Sequence, residues 1–285
     1  MADDLREKWF RDGYIVVRNL FSPARAQSIL AVCDEVLRQW RIEDPQTGVQ
    51  GGRDDAHAMR HLNHPAYANG ERARLHQMLD AVADANVLSV CSSILEETPL
   101  FRCTSLFMNP QLVSEDGSWH RDSQFLTPDI EAEKESVAAS QDSGEAIQLQ
   151  VALVPSADVE FVPGSHRRWD SPEEFAIRRA DDGSNSQSNE MPEALRIELE
   201  PGDAMAFNPH GLHRGRYHVD KLRRTLMLTY TRSSLPSYDY FSHQPWFSAE
   251  GYLDGVAPET RAFFEPFVAA YESDWTAMGT AFVRI

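Results

Sequence analysis

The sequence predicts a mostly β protein with flanking α-helices, built around a double-stranded β-helix, or jelly-roll, core. Three observations predict this. Several short apolar or alternating runs are divided by Pro-Gly turn chemistry, at Pro163-Gly164-Ser165 and Pro201-Gly202-Asp203, as strands of a double-sheet jelly roll would be. Apolar residues recur at helical spacing near the N-terminus and again after Pro258. The residues best suited to hold a metal lie about ninety positions apart, so one barrel has to bring them together.

Taken in order, Trp9–Leu20 reads as a short strand through Tyr14–Val17. Ser22 is placed to cap a helix with Pro23 at its first position, and Ala26, Ile29, Leu30, Cys33, Leu37 and Trp40 then fall on one helical face. Residues 44–69 are polar and glycine-containing, a long loop with a short helix, and a helix is expected over 71–95. Strands are expected over 100–113 and 118–126. Residues 127–145 form a polar insertion, either an active-site lid or an inert surface loop. From Ile147 to Val154 the chain alternates. Gln148 and Gln150 either face solvent or line a polar cavity while Ile147, Leu149, Val151 and Leu153 pack on helices. Further strands are expected at Val159–Val162, Arg196–Glu200, Ala204–Phe207 and Arg224–Thr231, with 182–189 a polar, mobile stretch. The tail is aromatic and then helical over Pro258–Tyr271, as a cover for the barrel or a subunit contact.

No linker divides the 285 residues, so one domain is expected over 1–285: a helical part to about 98, a jelly-roll core over about 99–235 and a helical tail over 236–285. A net charge of −17 disfavours binding to nucleic acid, whose phosphates would be repelled. The N-terminus is charged where a signal peptide is apolar, and no run approaches the roughly 18 apolar residues of a membrane span. A cytoplasmic protein without membrane or nucleic-acid partners is expected, as a monomer or homodimer. Cys33, Cys91 and Cys103 are not at metal or redox spacing and are expected reduced and buried.

Two fragments carry the chemistry, SWHRD at Ser118–Asp122 and LHRGRYHVDKLRR at Leu212–Arg224. Two imidazoles and one carboxylate on one face of iron leave coordination positions open for a co-substrate and O₂. His120, Asp122 and His213 supply that set, and on an extended segment His120 and Asp122 share a side while Arg121 points away. A second His-x-Asp, His218 and Asp220, lacks what should follow it: only His243 and then Arg261, in a helical stretch, lie downstream. His210 competes with His213 for the third ligand position. His57, His61 and His64 could hold zinc on a helix, but Ala58 stands where the zinc-protease pattern needs glutamate, so surface or substrate-pocket histidines are the plainer reading. His166 is expected to bond backbone. No GxSxG elbow, phosphate-binding glycine loop or CxxC pair is present.

The order of segments resembles the phytanoyl-CoA dioxygenase family of Fe(II)/2-oxoglutarate oxygenases over about residues 7–232: WFRDGYIVVRNLFSP at Trp9–Pro23, SWHRD, FVPGSH at Phe161–His166 and PGDAMAF at Pro201–Phe207. The resemblance implies a cupin-like barrel, Fe(II) on His120, Asp122 and His213, and 2-oxoglutarate and O₂ as co-substrates. It also implies an arginine, about ten residues past the distal histidine, that holds the far carboxylate of 2-oxoglutarate. Arg224 fits, with Arg223 as the adjacent competitor. Arg224 shares its face with Leu226, Leu228 and Tyr230, and if the more apolar face looks into the barrel, Arg224 is the one. Relatives often have serine where this chain has Gly215, so Asn109, Gln150 or water is expected to assist. The implied reaction is hydroxylation of an unactivated C–H bond of a small polar molecule, with succinate and CO₂ as co-products. Asp122, where related halogenases have a small residue, argues against halogenation. Arg102, Arg121 and the basic loop 214–224 hint at an anionic substrate. Two alternatives stay open, a cupin-type metal dioxygenase that does not use 2-oxoglutarate and a non-catalytic binding jelly roll.

Overall fold

The alternation at residues 146–152 organises the architecture. In the computed structural model, which describes residues 2–141 and 146–278, ten strands form two antiparallel sheets. They are β1 (Tyr14–Val17), β2 (Ala58–Arg60), β3 (Pro99–Met108), β4 (Glu115–Asp116), β5 (Ala146–Ala152), β6 (Ser156–Phe161), β7 (Leu195–Leu199), β8 (Ala204–Phe207), β9 (His213–Tyr217) and β10 (Arg224–Arg232). The larger sheet runs β1-β8-β5-β10-β3-β2 and the smaller β4-β9-β6-β7. This is the predicted double sheet.

Residues directly opposite one another in antiparallel strands share a face. Leu226 stands opposite Val151, and Leu228 opposite Leu149. With Tyr230 they join the main core, which also contains Val36, Leu79, Ile94 and Phe264 from the helices. Tyr230 Oη donates to Val82 O at 2.7 Å. Met227 stands opposite Gln150, and Gln150 opposite Met205, on the other face. Met205 and Phe207 pack there against Val159, Phe161, Ile197 and Leu199 of the smaller sheet. The glutamines therefore look into the barrel. The apolar face of β10 does not, contrary to the sequence expectation, because the larger sheet is buried on both sides and its most apolar side serves the helices.

The helices are α1 (Ala2–Asp12), α2 (Pro23–Ile42), α3 (Arg72–Val82), α4 (Ala85–Leu95), α5 (Ile130–Ser140), α6 (Pro172–Arg178) and α7 (Pro258–Met278). Ser22 caps α2 as expected, its Oγ accepting from Arg25 N at 3.2 Å. The helix expected over 71–95 is two, because the Asp84 carboxylate accepts from Asn86 N at 2.9 Å and starts a new one. Taken together, Arg72–Leu95 is long and apolar enough for a membrane span, against expectation, and half of it is buried within the protein. Gly202 has φ +94°, and a Cβ there would lie 2.2 Å from Phe21 O, so this turn admits only glycine. α7 covers the helical side of the barrel through Phe263, Phe264, Phe267, Tyr271 and Trp275.

Three irregular stretches depart from expectation. Residues 118–126 are not a strand: an isolated bridge joins His120 to His213, and a 3-10 turn follows at Asp122–Phe125. The insertion over 127–145 contains α5, whose buried Glu133 pairs with Arg178 of α6 at 2.8 Å; residues 142–145 lie outside the described residues. The 182–189 stretch is tied to β9, where Arg214 donates to Gln187 O at 2.8 Å, and to the first ligand fragment, where Trp119 donates to Ser186 O at 2.8 Å and to Ser188 O at 2.9 Å.

Candidate metal centre

The two fragments are zipped together through the backbone. His120 N donates to His213 O at 3.1 Å, His213 N to His120 O at 3.0 Å, and Asp122 N to Pro209 O at 2.9 Å. Between the two candidate ligands of the first fragment, Arg121 points the opposite way and is fully buried. Its guanidinium holds Asp170 at 2.8 Å and donates to Ser165 O at 2.7 Å and to His210 O. Asp170 in turn accepts from Arg178 at 2.8 Å. Arg121 is thus a structural pin between the ligand segments and is removed from any substrate role. Removing one partner of a buried ion pair leaves the other uncompensated, so Asp170→Ala is expected to lower unfolding stability by about 3–5 kcal/mol in a denaturant titration.

His120, Asp122 and His213 come together, each with a ligand atom within 4.8 Å of the others. Nδ1 of His120 lies 2.7 Å from Ser118 O, and Nδ1 of His213 lies 3.0 Å from Gly211 O. A carbonyl only accepts, so each Nδ1 carries the proton and each Nε2 presents its lone pair. Both Nε2 atoms lie 3.6 Å from Asp122 Oδ1. Burial pushes the His213 imidazolium down to about 4, with His120 adding to the effect, so the ring is neutral at pH 7. Two imidazoles and a carboxylate converging on one point make a donor set for a divalent first-row metal. The other carboxylate oxygen, Asp122 Oδ2, accepts from the Gln148 amide. Gln148→Leu is expected to weaken Fe(II) binding roughly tenfold, as orienting groups around ligands do, measured by competition with a metal-chelating dye.

The rival histidines lie elsewhere. His218 faces Asp116 at 3.4 Å, and neither His210 nor Asp220 joins the cluster. His61 is buried in the core, between Gln46 and Phe241 O, and its imidazolium is pushed down to about 3 by burial, which corrects its reading as a surface or pocket histidine. His166 bonds the Phe10 carbonyl, as expected of it.

The arginines sort themselves by partner. In the basic loop, Arg214 and Arg216 both pair with Glu160, Lys221 with Asp158, and Arg224 with Asp34 of α2. Arg224 also donates to Asn109 Oδ1 at 3.0 Å. It sits on the helix side of β10 with its charge matched, so the expectation that it serves inside the barrel is overturned. The cause is that the face of β10 it shares with Leu226, Leu228 and Tyr230 packs on the helices. Asn109 is likewise spent on Arg224. Arg223 is the exception. Buried on the barrel side, its guanidinium lies 4.4 Å from the Tyr217 ring centroid and 5.3 Å from that of Phe107, and donates to Arg216 O at 2.9 Å. Among the described residues it has no carboxylate partner, and its Nε is buried without one of any kind.

Other inward polar atoms share that condition. Gln150 Oε1, Thr225 Oγ1 and Ser105 Oγ are buried and have no hydrogen-bond partner. Such groups are costly unless something polar meets them. They lie on the same inward face as Arg223, and together these residues suit a polar, anionic co-substrate. Gly215 fits the pattern too. A Cβ there would fall 2.5 Å from Tyr217 Oη and 2.9 Å from Arg223 Nη1, so the room a serine would need is already filled. Sequence reasoning missed Tyr217, although it shares a strand face with His213 and Gly215.

A model of the phytanoyl-CoA dioxygenase family matches residues 9–225, about three quarters of the chain. Among curated proteins no relative matches. Solved structures share the fold. EctD from S. alaskensis with 2-oxoglutarate and 5-hydroxyectoine superposes with a TM-score of 0.61 at 19% identity, covering 92% of this chain and 86% of its own. AviO1 from Streptomyces viridochromogenes Tue57 has a TM-score of 0.57 at 16% identity, covering 84% and 98%. The non-heme alpha ketoglutarate dependent epimerase SnoN from nogalamycin biosynthesis has 0.55 at 17%, covering 81% of each.

Proposed function

This chain belongs to the phytanoyl-CoA dioxygenase family of Fe(II)- and 2-oxoglutarate-dependent oxygenases, and we propose that it hydroxylates an unactivated C–H bond of a small polar molecule. The observation that supports this most is the pairing, in one barrel, of the His120, Asp122 and His213 cluster with the unmatched guanidinium of Arg223.

In this reading His120 Nε2, His213 Nε2 and one oxygen of Asp122 hold the iron. With 2-oxoglutarate, bound Fe(II) supplies the oxidising chemistry that ends in succinate, CO₂ and an oxidised substrate. The residues do the positioning. Ser118 O and Gly211 O fix the imidazole tautomers. The Gln148 amide orients Asp122. Arg223 takes the far carboxylate of 2-oxoglutarate with the edge it leaves free, and Tyr217 Oη stands beside it where a serine hydroxyl would be. Gln150, Thr225 and Ser105 offer the remaining polar contacts, of which only Gln150 was foreseen. Asp122 fills the carboxylate position, which favours hydroxylation, desaturation or ring closure over halide transfer.

Oxygen uptake by the Fe(II)-loaded protein with a mixture of polar metabolites tests the reading. Uptake that requires 2-oxoglutarate and releases succinate is expected. Uptake that proceeds without 2-oxoglutarate would instead favour a cupin-type metal dioxygenase.

A further inference from the structure

A second guanidinium on the inward face also lacks an anion. Arg60 on β2 stands opposite Ser105, while Met59 stands opposite Leu106. Met59 packs in the helix-side core, so Arg60 lies on the opposite, barrel-facing side with Ser105, Met227 and Gln150. Its guanidinium is 5.3 Å from the Phe107 ring centroid and 5.9 Å from that of Phe241. Arg223 lies 5.3 Å from Phe107, and Arg102 lies 5.1 Å from Phe241. Three guanidiniums and two rings thus alternate in a ladder, Arg223, Phe107, Arg60, Phe241, Arg102.

The rungs differ in how their charge is met. Arg102 is paired with Asp239. Arg223 is the rung assigned above to 2-oxoglutarate. Arg60, between them, makes no ion pair or hydrogen bond among the described residues, and its Nη1 is buried without a partner. Ring faces attract a cation, but they offset only part of what a half-buried guanidinium loses on leaving water. In a chain of net charge −17, carrying 44 acidic residues, the lack of a carboxylate beside this one inward-facing arginine calls for a ligand.

We propose that Arg60 binds a carboxylate of the substrate, so that the molecule oxidised is a small organic anion. The inference rests on the proposed function, which makes the barrel the substrate's place. A single planar fork matches a single carboxylate, whereas a phosphate dianion would need more than the one cation left free. The side chain comes from the edge strand and reaches Phe107 as Arg223 does, so substrate and 2-oxoglutarate carboxylates would occupy neighbouring rungs.

The test uses the Fe(II)- and 2-oxoglutarate-loaded protein, kept anaerobic, and a set of four- to eight-carbon carboxylic acids with their primary amides as probes, followed by calorimetry. Acids are expected to bind wild type about tenfold or more tighter than the matching amides. Arg60→Gln should erase that preference, and Arg60→Lys should keep part of it. Both should bind 2-oxoglutarate as wild type does, which also shows that they fold. Equal binding of acids and amides by wild type overturns the inference, as does no binding of any acid at millimolar concentration, or a preference that survives in Arg60→Gln. A 2-oxoglutarate affinity lost in Arg60→Gln also overturns it, by making Arg60 part of the co-substrate site. Failure of wild type to bind 2-oxoglutarate at all would count against the proposed function itself.

Discussion

Arg223→Gln is expected to raise the dissociation constant of 2-oxoglutarate roughly 30- to 100-fold, while Arg224→Gln leaves it within about twofold. The first figure follows from losing charge-assisted hydrogen bonds to a carboxylate in a buried site, about 2–3 kcal/mol. Arg223 is the one guanidinium of the 214–224 loop with no carboxylate beside it, and it faces the barrel. Arg224 already has Asp34 at 2.6 Å and points toward α2. Asp34 is half exposed, so losing that pair should cost about 1 kcal/mol or less of folding stability. Binding measured anaerobically with Fe(II) separates the two variants, and the reverse ranking would return the role to Arg224.

Asp122→Ala should have the larger effect on the metal. It removes the only carboxylate of the cluster and leaves the Gln148 amide without its acceptor. Fe(II) affinity is expected to fall by at least about 100-fold, beyond the range of losses seen when only an orienting group is removed. The His120–His213 backbone bridge does not depend on the carboxylate, so the thermal unfolding curve should stay cooperative. Affinity within tenfold of wild type would remove Asp122 from the ligand set.

The elements legible in the sequence are those whose own pattern decides them. The Ser22 cap and Pro23 start α2, β1 falls at Tyr14–Val17, and β8 at Ala204–Phe207. That His120, Asp122 and His213 would come together was legible because donor types and their order suffice to nominate them as a cluster. What was not legible depends on layering. An apolar strand face normally points to the core, but the larger sheet has a core on each side, one against the helices and one between the sheets, where buried polar groups such as Gln150 mix with Met205 and Phe207. The alternation of β5 already held half of the answer, since lining a cavity is one of the two readings its glutamines allow. Extending that reading to β10 needed the register of Met227 on Gln150, which no single-strand pattern contains. The His-x-Asp pair misled in a smaller way. A bridge followed by a 3-10 turn places the two side chains together as well as a strand would. The ion pairs that silence Arg121, Arg214, Arg216 and Arg224 are long-range contacts, so composition alone made the 214–224 loop look more basic than it is.

The most direct measurement is an anaerobic titration of the metal-free protein with Fe(II) and 2-oxoglutarate, watched for the visible absorption of the metal–2-oxoglutarate chelate. Wild type should develop the band at one equivalent of each, and His213→Ala should not. No band in wild type, or an equal band in His213→Ala, would contradict the assignment of His120, Asp122 and His213 as the iron site.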